Sequence, residues 1–199
     1  MEEVVAVRFG FYLPTRGITC TPGPLATLVQ RAEDWGFSST MISDHVVFPV
    51  TVNSIYPYTA SGKLPGSGDA MEQLSLLAFL AAKTTKLRLV TSILIVPQRN
   101  PVLAAKTLAT IDVLSNGRLT VGVGVGWMRE EFEAMGSHDY DRRGAVTDEY
   151  MRIYKLLWTQ APVSFHGEFY RKKKDGPFSK PMNLKRKRFS RRGSASNIP

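Results

Sequence analysis

Hydrophobic and polar positions follow two rhythms along this chain, and the rhythms take turns. Residues 8–13 form a short β-type run, closed by Pro14-Thr15-Arg16-Gly17. Behind Pro24, Leu25, Leu28, Val29 and Ala32 recur at helical spacing, and the pattern stops at Gly36. Residues 40–43 predict a second strand that ends at Asp44-His45. The stretch 49–68, rich in Pro, Gly and Ser, reads as a long loop. Residues 71–84 predict a helix, with Leu74, Leu77, Ala78 and Ala81 on one face. Residues 87–95 are a buried β-type run, ended by Pro97. Asn100-Pro101 marks a helix start, with Asn as N-cap and Pro at the first helical position. That helix runs to Leu114 and stops near Gly117. Residues 118–123 predict a fourth strand, and a second loop, rich in glycine and charge, runs to about Arg143. Residues 146–158 predict a helix with Tyr150, Ile153, Tyr154 and Leu157 on one stripe, and residues 163–170 alternate as a small hairpin would.

Strand and helix alternate four times. Strands separated by helices need crossover connections, so the sheet is parallel and the class is α/β. Two architectures compete, the doubly wound sheet and the (β/α) barrel. A dinucleotide-binding sheet wants G-x-G-x-x-G in its first strand-to-helix turn. Pro14-Thr15-Arg16-Gly17 does not fit, and Gly122, Gly124 and Gly126 follow the fourth strand in a different spacing. The barrel is favoured.

Composition narrows the picture. With 199 residues, 43% hydrophobic and 22% charged, the chain suits one globular domain. No uninterrupted apolar run reaches the roughly 18 residues of a membrane span. The start, Met1-Glu2-Glu3, is acidic where a signal peptide is basic, which leads to the expectation of a cytoplasmic protein. One cysteine, Cys20, excludes an internal disulfide, and His45, His138 and His166 lack metal-site spacing. The net charge of +9 is unevenly placed. Residues 171–199 carry 11 Lys and Arg against one acid, Asp175, and the rest of the chain is near neutral. The expected division is a barrel-type domain at 1–181 and a basic, disordered tail at 182–199. A polybasic arm is the feature that would suit nucleic acid, but the body shows no such motif, so nucleic acid is disfavoured as a partner.

In a (β/α) barrel, chemistry gathers where strands end at their carboxyl side. Four groups fall there: Pro14, Thr15 and Arg16; Asp44 and His45; Thr91, Ser92, Ile93, Gln98, Arg99 and Asn100; and Gly124, Gly126 and Trp127. His45 is the best single catalytic candidate, since imidazole exchanges protons near neutral pH. Adjacent strand residues face opposite ways, so Asp44 is expected to pair with a base on a helix or loop. The glycine run suits either close approach to a phosphate or a tight packing corner. Trp127 could stack on a planar cofactor or act as an apolar lid. Asp112 and Arg118 lie toward the opposite rim, where stability is the expected role. Cys20 has no evident activating partner.

Three stretches together resemble the bacterial luciferase-like monooxygenase family. They are Arg99-Asn100-Pro101-Val102-Leu103-Ala104-Ala105-Lys106, Ala109-Thr110-Ile111-Asp112-Val113-Leu114-Ser115-Asn116-Gly117-Arg118-Leu119, and Gly122-Val123-Gly124-Val125-Gly126-Trp127 with Glu130-Glu131-Phe132. Trp158-Thr159, Val163-Ser164-Phe165 and Gly167-Glu168-Phe169-Tyr170 agree, and the resemblance covers about residues 8–181. Within the family the pattern is most similar to the coenzyme F-420 (deazaflavin) oxidoreductases. The resemblance implies a (β/α)8 barrel with a deazaflavin, or FMN as the alternative, at the carboxyl rim, and a small organic substrate. It implies hydride transfer or oxygen activation at the ring. By position, Asp44-His45 match the family's Asp-His after the second strand, where the His lies at the ring in deazaflavin members, and Asp44 is carried with it as a cofactor-binding candidate. Ser92-Ile93 match the third-strand bulge, where members often have a non-proline cis peptide behind the ring, and Thr91, just before them, is carried as a cofactor-binding candidate. Gly124 and Gly126 match a loop near the cofactor's side chain and phosphate, and Trp127, next to them, is carried as a cofactor-binding candidate. Some sugar-phosphate-oxidising members carry Glu where Trp127 stands and Trp near Phe48 and Pro49, so that substrate is not expected.

Four units are half of eight. Ser179-Lys180-Pro181 echoes a Pro-Lys-Pro segment of the family, and Met182-Asn183-Leu184 loses it. The expectation is a truncated or frameshifted chain, the N-terminal half of a barrel, with doubtful turnover. Such a half barrel has open edges, and closure with a second copy as a homodimer is one expected consequence.

Overall fold

The four strand–helix units build one parallel sheet in a computed structural model that describes residues 7–64, 70–137, 140–160 and 162–170. The expected tail at 182–199 and His138 lie outside the described residues. The strands are β1 (Gly10–Tyr12), β2 (Ser39–Ile42), β3 (Arg88–Ile95) and β4 (Leu119–Gly124), in the order β1-β2-β3-β4. The helices are α1 (Pro22–Asp34), α2 (Gln73–Lys83), α3 (Pro101–Leu114), α4 (Arg129–Ala134) and α5 (Arg143–Thr159). One-turn 3-10 segments lie at Val96–Gln98 and Tyr140–Arg142. Sequential strands pair with their neighbours, as in a (β/α) barrel.

Local chemistry sets the helix ends. Asn100 Oδ1 accepts from the amides of Val102 (3.0 Å) and Leu103 (3.1 Å), so α3 starts where the Asn-Pro pair predicts. Glu72 accepts from Ser75 N at 2.7 Å and caps α2. Gly36 and Gly117 end α1 and α3 at φ of +84° and +80°, a conformation that favours glycine. Helix α1 begins at Pro22, two residues before the expected Pro24, because both prolines already hold a helical φ.

The helices cover one face of the sheet. Val29, Ile42, Leu77, Leu80, Leu89, Ala105, Leu108 and Tyr154 are fully enclosed between the two layers. Trp158 Nε1 donates to Ala105 O at 3.0 Å and locks α5 onto α3. The opposite face is sparsely covered: Met41, Val90 and Ser92 are half-buried and Tyr12 is 61% exposed. In a closed barrel that face would be the interior.

The amino-end rim is a stability device. Arg118 donates to the carbonyls of Ala81 (3.0 Å), Thr84 (2.9 Å), Leu87 (2.7 Å) and Ser115 (2.8 Å). It thereby joins α2, the start of β3 and the end of α3, as expected for that rim. Glu33, at the end of α1, accepts from the amides of Thr85, Lys86 and Leu87 at 2.5–3.1 Å.

Three expectations need correction. The second predicted loop contains α4: Glu130 and Glu131 in its first turn favour the helix dipole, and buried Phe132 anchors it. Helix α5 begins at Arg143 rather than Val146, its first turn lying outside the apolar stripe. Residues 163–170 form no hairpin among the described residues. The amides of Glu168, Phe169 and Tyr170 donate instead to buried Glu149 at 2.7–3.3 Å, and Phe165, Phe169 and Tyr170 pack on the core.

Candidate functional site

The carboxyl ends of β2, β3 and β4 bring the sequence-chosen residues onto one rim. Asp44 and His45 follow β2 directly, and their side chains take different surroundings. Asp44 is buried and accepts a bidentate pair from Arg99, at 2.6 and 2.7 Å, plus the Ile95 amide at 2.7 Å. Arg99 also donates to Glu72 at 3.1 Å. Asp44 thus finds the loop base expected of it, and its carboxylate is spent on fixing the turn after β3. Burial pushes the Asp44 carboxyl up from its ordinary value, opposed by Arg99. Burial would lower Arg99, but the attraction of Asp44 and Glu72 prevails and raises it.

His45 turns the other way. Its Nδ1 lies 3.2 Å from Glu131 Oε2, and the two side chains are 10% and 1% exposed. Glu131 Oε1 accepts from the amides of Val46 (2.7 Å) and Val47 (3.4 Å). Burial pushes Glu131 up, yet the bonds from His45 and Val46 prevail and hold it below the ordinary glutamate value. Gln98 approaches the same carboxylate without closing a well-formed hydrogen bond. Aromatic rings enclose His45: Phe48 at 4.5 Å between centroids and Trp127 edge-on at 6.3 Å, with Tyr56 against Trp127 at 5.0 Å.

On β3 the register with β4 slips by one residue between Thr91 and Leu94, a β-bulge. Within it the Ser92–Ile93 peptide bond is cis. Thr91 Oγ1 donates to Gly122 O at 2.7 Å across the bulge. Ser92 Oγ lies 2.6 Å from the Tyr12 hydroxyl, and Ile93 is 39% exposed at the rim.

The glycine run has its own geometry. A Cβ on Gly122 would strike Thr91 O at 2.5 Å, and one on Gly124 would strike the Ile93 side chain. Gly126, at φ +81°, would bring a Cβ to 2.8 Å from Phe132 and 2.9 Å from Ile95. The packing-corner alternative accounts for all three positions, and each holds the bulge or α4 close to β4.

Glu131 and Gln73 join the site without a signal in their local sequence. Glu131 stood in view inside Glu130-Glu131-Phe132, but its partner lies 86 residues away. Gln73 is fully buried and donates to Ile42 O (2.8 Å) and Ile93 O (3.2 Å), bridging β2 to the cis bond. Nothing in its local pattern marks it. Glu130 accepts from the Asn53 amide (2.7 Å) and the Ser54 amide (2.9 Å), and ties down the loop after β2. Among the described residues no group of three or more His, Cys, Asp or Glu could hold a metal, and no helix is long and apolar enough to cross a membrane.

The parallel half barrel and its cis-bulge rim define a luciferase-like fold. The luciferase-like monooxygenase family model matches residues 7–187, and the chain belongs to that family. It is 37% identical over 171 residues to the FMNH(2)-dependent dimethylsulfone monooxygenase of Pseudomonas putida, covering 83% of this chain and 45% of that protein. The monooxygenase RslO1 from Streptomyces bottropensis superposes with a TM-score of 0.63 at 26% identity, over 93% of this chain and 51% of that one. An F420-dependent secondary alcohol dehydrogenase bound to an F420-acetone adduct shares the fold, with a TM-score of 0.64 at 22% identity, over 89% of this chain and 48% of that one. The chain spans 45% to 62% of the length of the curated relatives it matches.

A flat ring system fits what the rim offers. Ile93 presents an apolar edge at the bulge, and His45, Phe48, Trp127 and Tyr56 supply aromatic walls. For a phosphate group the described rim offers less, because Arg99 is committed to Asp44 and Glu72 and the glycines are closely packed.

Proposed function

We propose that this rim binds a flavin-type ring and serves an oxidoreductase acting on a small organic substrate. The observation that carries the reading is the convergence of the cis Ser92–Ile93 bulge, His45 and Trp127 at one strand end. When bound, such a ring supplies hydride transfer or oxygen activation. Thr91, Ser92 and Ile93 back the ring, and Gly124 leaves the Ile93 side chain its room. Gly126 and Trp127 shape the neighbouring wall. His45 meets the ring or substrate as the catalytic residue. Asp44 contributes through Arg99 and the Ile95 amide, which hold the bulge in place.

A deazaflavin of the F-420 type is the cofactor we favour, on the placement of His45. FMN is the second reading, favoured by the 37% identity to an FMNH(2)-dependent enzyme. Titration of the 199-residue chain with each cofactor, followed by fluorescence, tests both. Saturable binding of one of them is expected, weakened by about tenfold in His45→Ala, a loss of roughly 1.4 kcal/mol. Absence of binding by either cofactor at millimolar concentration would overturn the proposal. We also propose that a second copy closes the open face.

A further inference from the structure

We infer that Glu131 is a positioning residue that fixes the tautomer of His45, so that Nε2 faces the site as a bare acceptor. Glu131 is enclosed, and its Oε1 is held by the amides of Val46 and Val47, so the group cannot rotate freely. That leaves Oε2 opposite His45 Nδ1 at 3.2 Å. An ionised carboxylate only accepts hydrogen bonds, and a neutral imidazole carries a single N–H. The proton must therefore sit on Nδ1, and Nε2 is left with a lone pair. Among the described residues Nε2 has no hydrogen-bond partner, while the ring itself is gripped between Phe48 and Trp127. The ligand group that meets His45 must then be an O–H or N–H donor, such as a substrate hydroxyl. If that proton moves to Nε2, the Glu131 carboxylate lies in place to stabilise the resulting imidazolium.

The consequence for ligands rests on the proposed ring site; the tautomer does not. The test is nitrogen NMR of the whole chain labelled at histidine, without cofactor, at a pH above which the histidine signals no longer move. The His45→Asn variant assigns the signals. The native chain is expected to show a protonated Nδ1 and a bare Nε2. In Glu131→Gln the side-chain carbonyl must stay on the Val46 amide, which turns the NH2 group toward Nδ1. The tautomer is therefore expected to invert, whereas Glu131→Asp retains the native one. A native chain protonated on Nε2, or a Glu131→Gln chain with the native tautomer, would overturn the inference. If Glu131→Gln fails to fold, the native tautomer and the Glu131→Asp variant decide it. A confirmed tautomer together with no cofactor binding would leave this inference standing and remove the ring site instead.

Discussion

Asp44 and His45 are neighbours in sequence and work on opposite sides of one strand end. The period of two along a strand made that division legible, and it also made a base for Asp44 expected. Which base was not legible, because Arg99 lies 55 residues on and no local pattern links the two. The same limit hid Glu131 and Gln73, whose roles exist only once β2, β3 and β4 are side by side. The pair also sets a stability prediction. Asp44→Asn breaks a bidentate bond and leaves the Arg99 charge, 12% exposed, with only the more exposed Glu72. Removing one partner of a buried pair costs about 3–5 kcal/mol. Urea unfolding of Asp44→Asn is expected to show a loss of that order. A loss below about 1 kcal/mol would mean that the pair holds nothing together.

Elements were legible where periodicity ran for two turns or more. Helices α2, α3 and α5 and the four strands carried their own signals, and the Asn100 cap marked a start to the residue. Helix α4 spans six residues, too few to display a period, and it depends on Phe132 reaching the core. The false hairpin had the opposite cause: the alternation was real, but the backbone donors found Glu149 instead of another strand. Backbone capture by a carboxylate recurs at Glu33, which joins α1 to the start of β3. Burial pushes Glu33 up, but the amides of Leu87, Lys86 and Thr85 prevail and lower it from 4.5. A lowered carboxylate stabilises the fold above its unfolded value, and that contribution fades as pH falls through the folded value. Glu33→Gln is therefore expected to be less stable than the native chain at pH 7. The gap should hold down to about pH 4.5 and close below it. Urea midpoints measured from pH 7 to pH 3 check this, and a gap independent of pH would refute the role of the charge.

The four-stranded sheet poses a problem that its helices do not solve. Among the described residues β1 and β4 each pair on one side only, and the face opposite the helices is sparsely covered. Unpaired parallel edges seek partners. A (β/α) barrel closes with eight strands, and two copies of this sheet supply them, with β4 of each copy meeting β1 of the other. The proposed cofactor rim would gain a facing wall in the same step. Tyr12 separates this arrangement from a lone half barrel. It sits on β1, 61% exposed, on the face that closure would bury. In a monomer a lysine there would stay solvated, and the change in stability would be no more than the lost Tyr12–Ser92 hydrogen bond, about 1 kcal/mol. Inside a closed barrel its charge would be buried without a partner. Light scattering on the native chain is expected to give about twice 22.1 kDa, and Tyr12→Lys is expected to give the single-chain mass. A native chain that stays monomeric, or a Tyr12→Lys chain that stays dimeric, would show that this face is not where two copies meet.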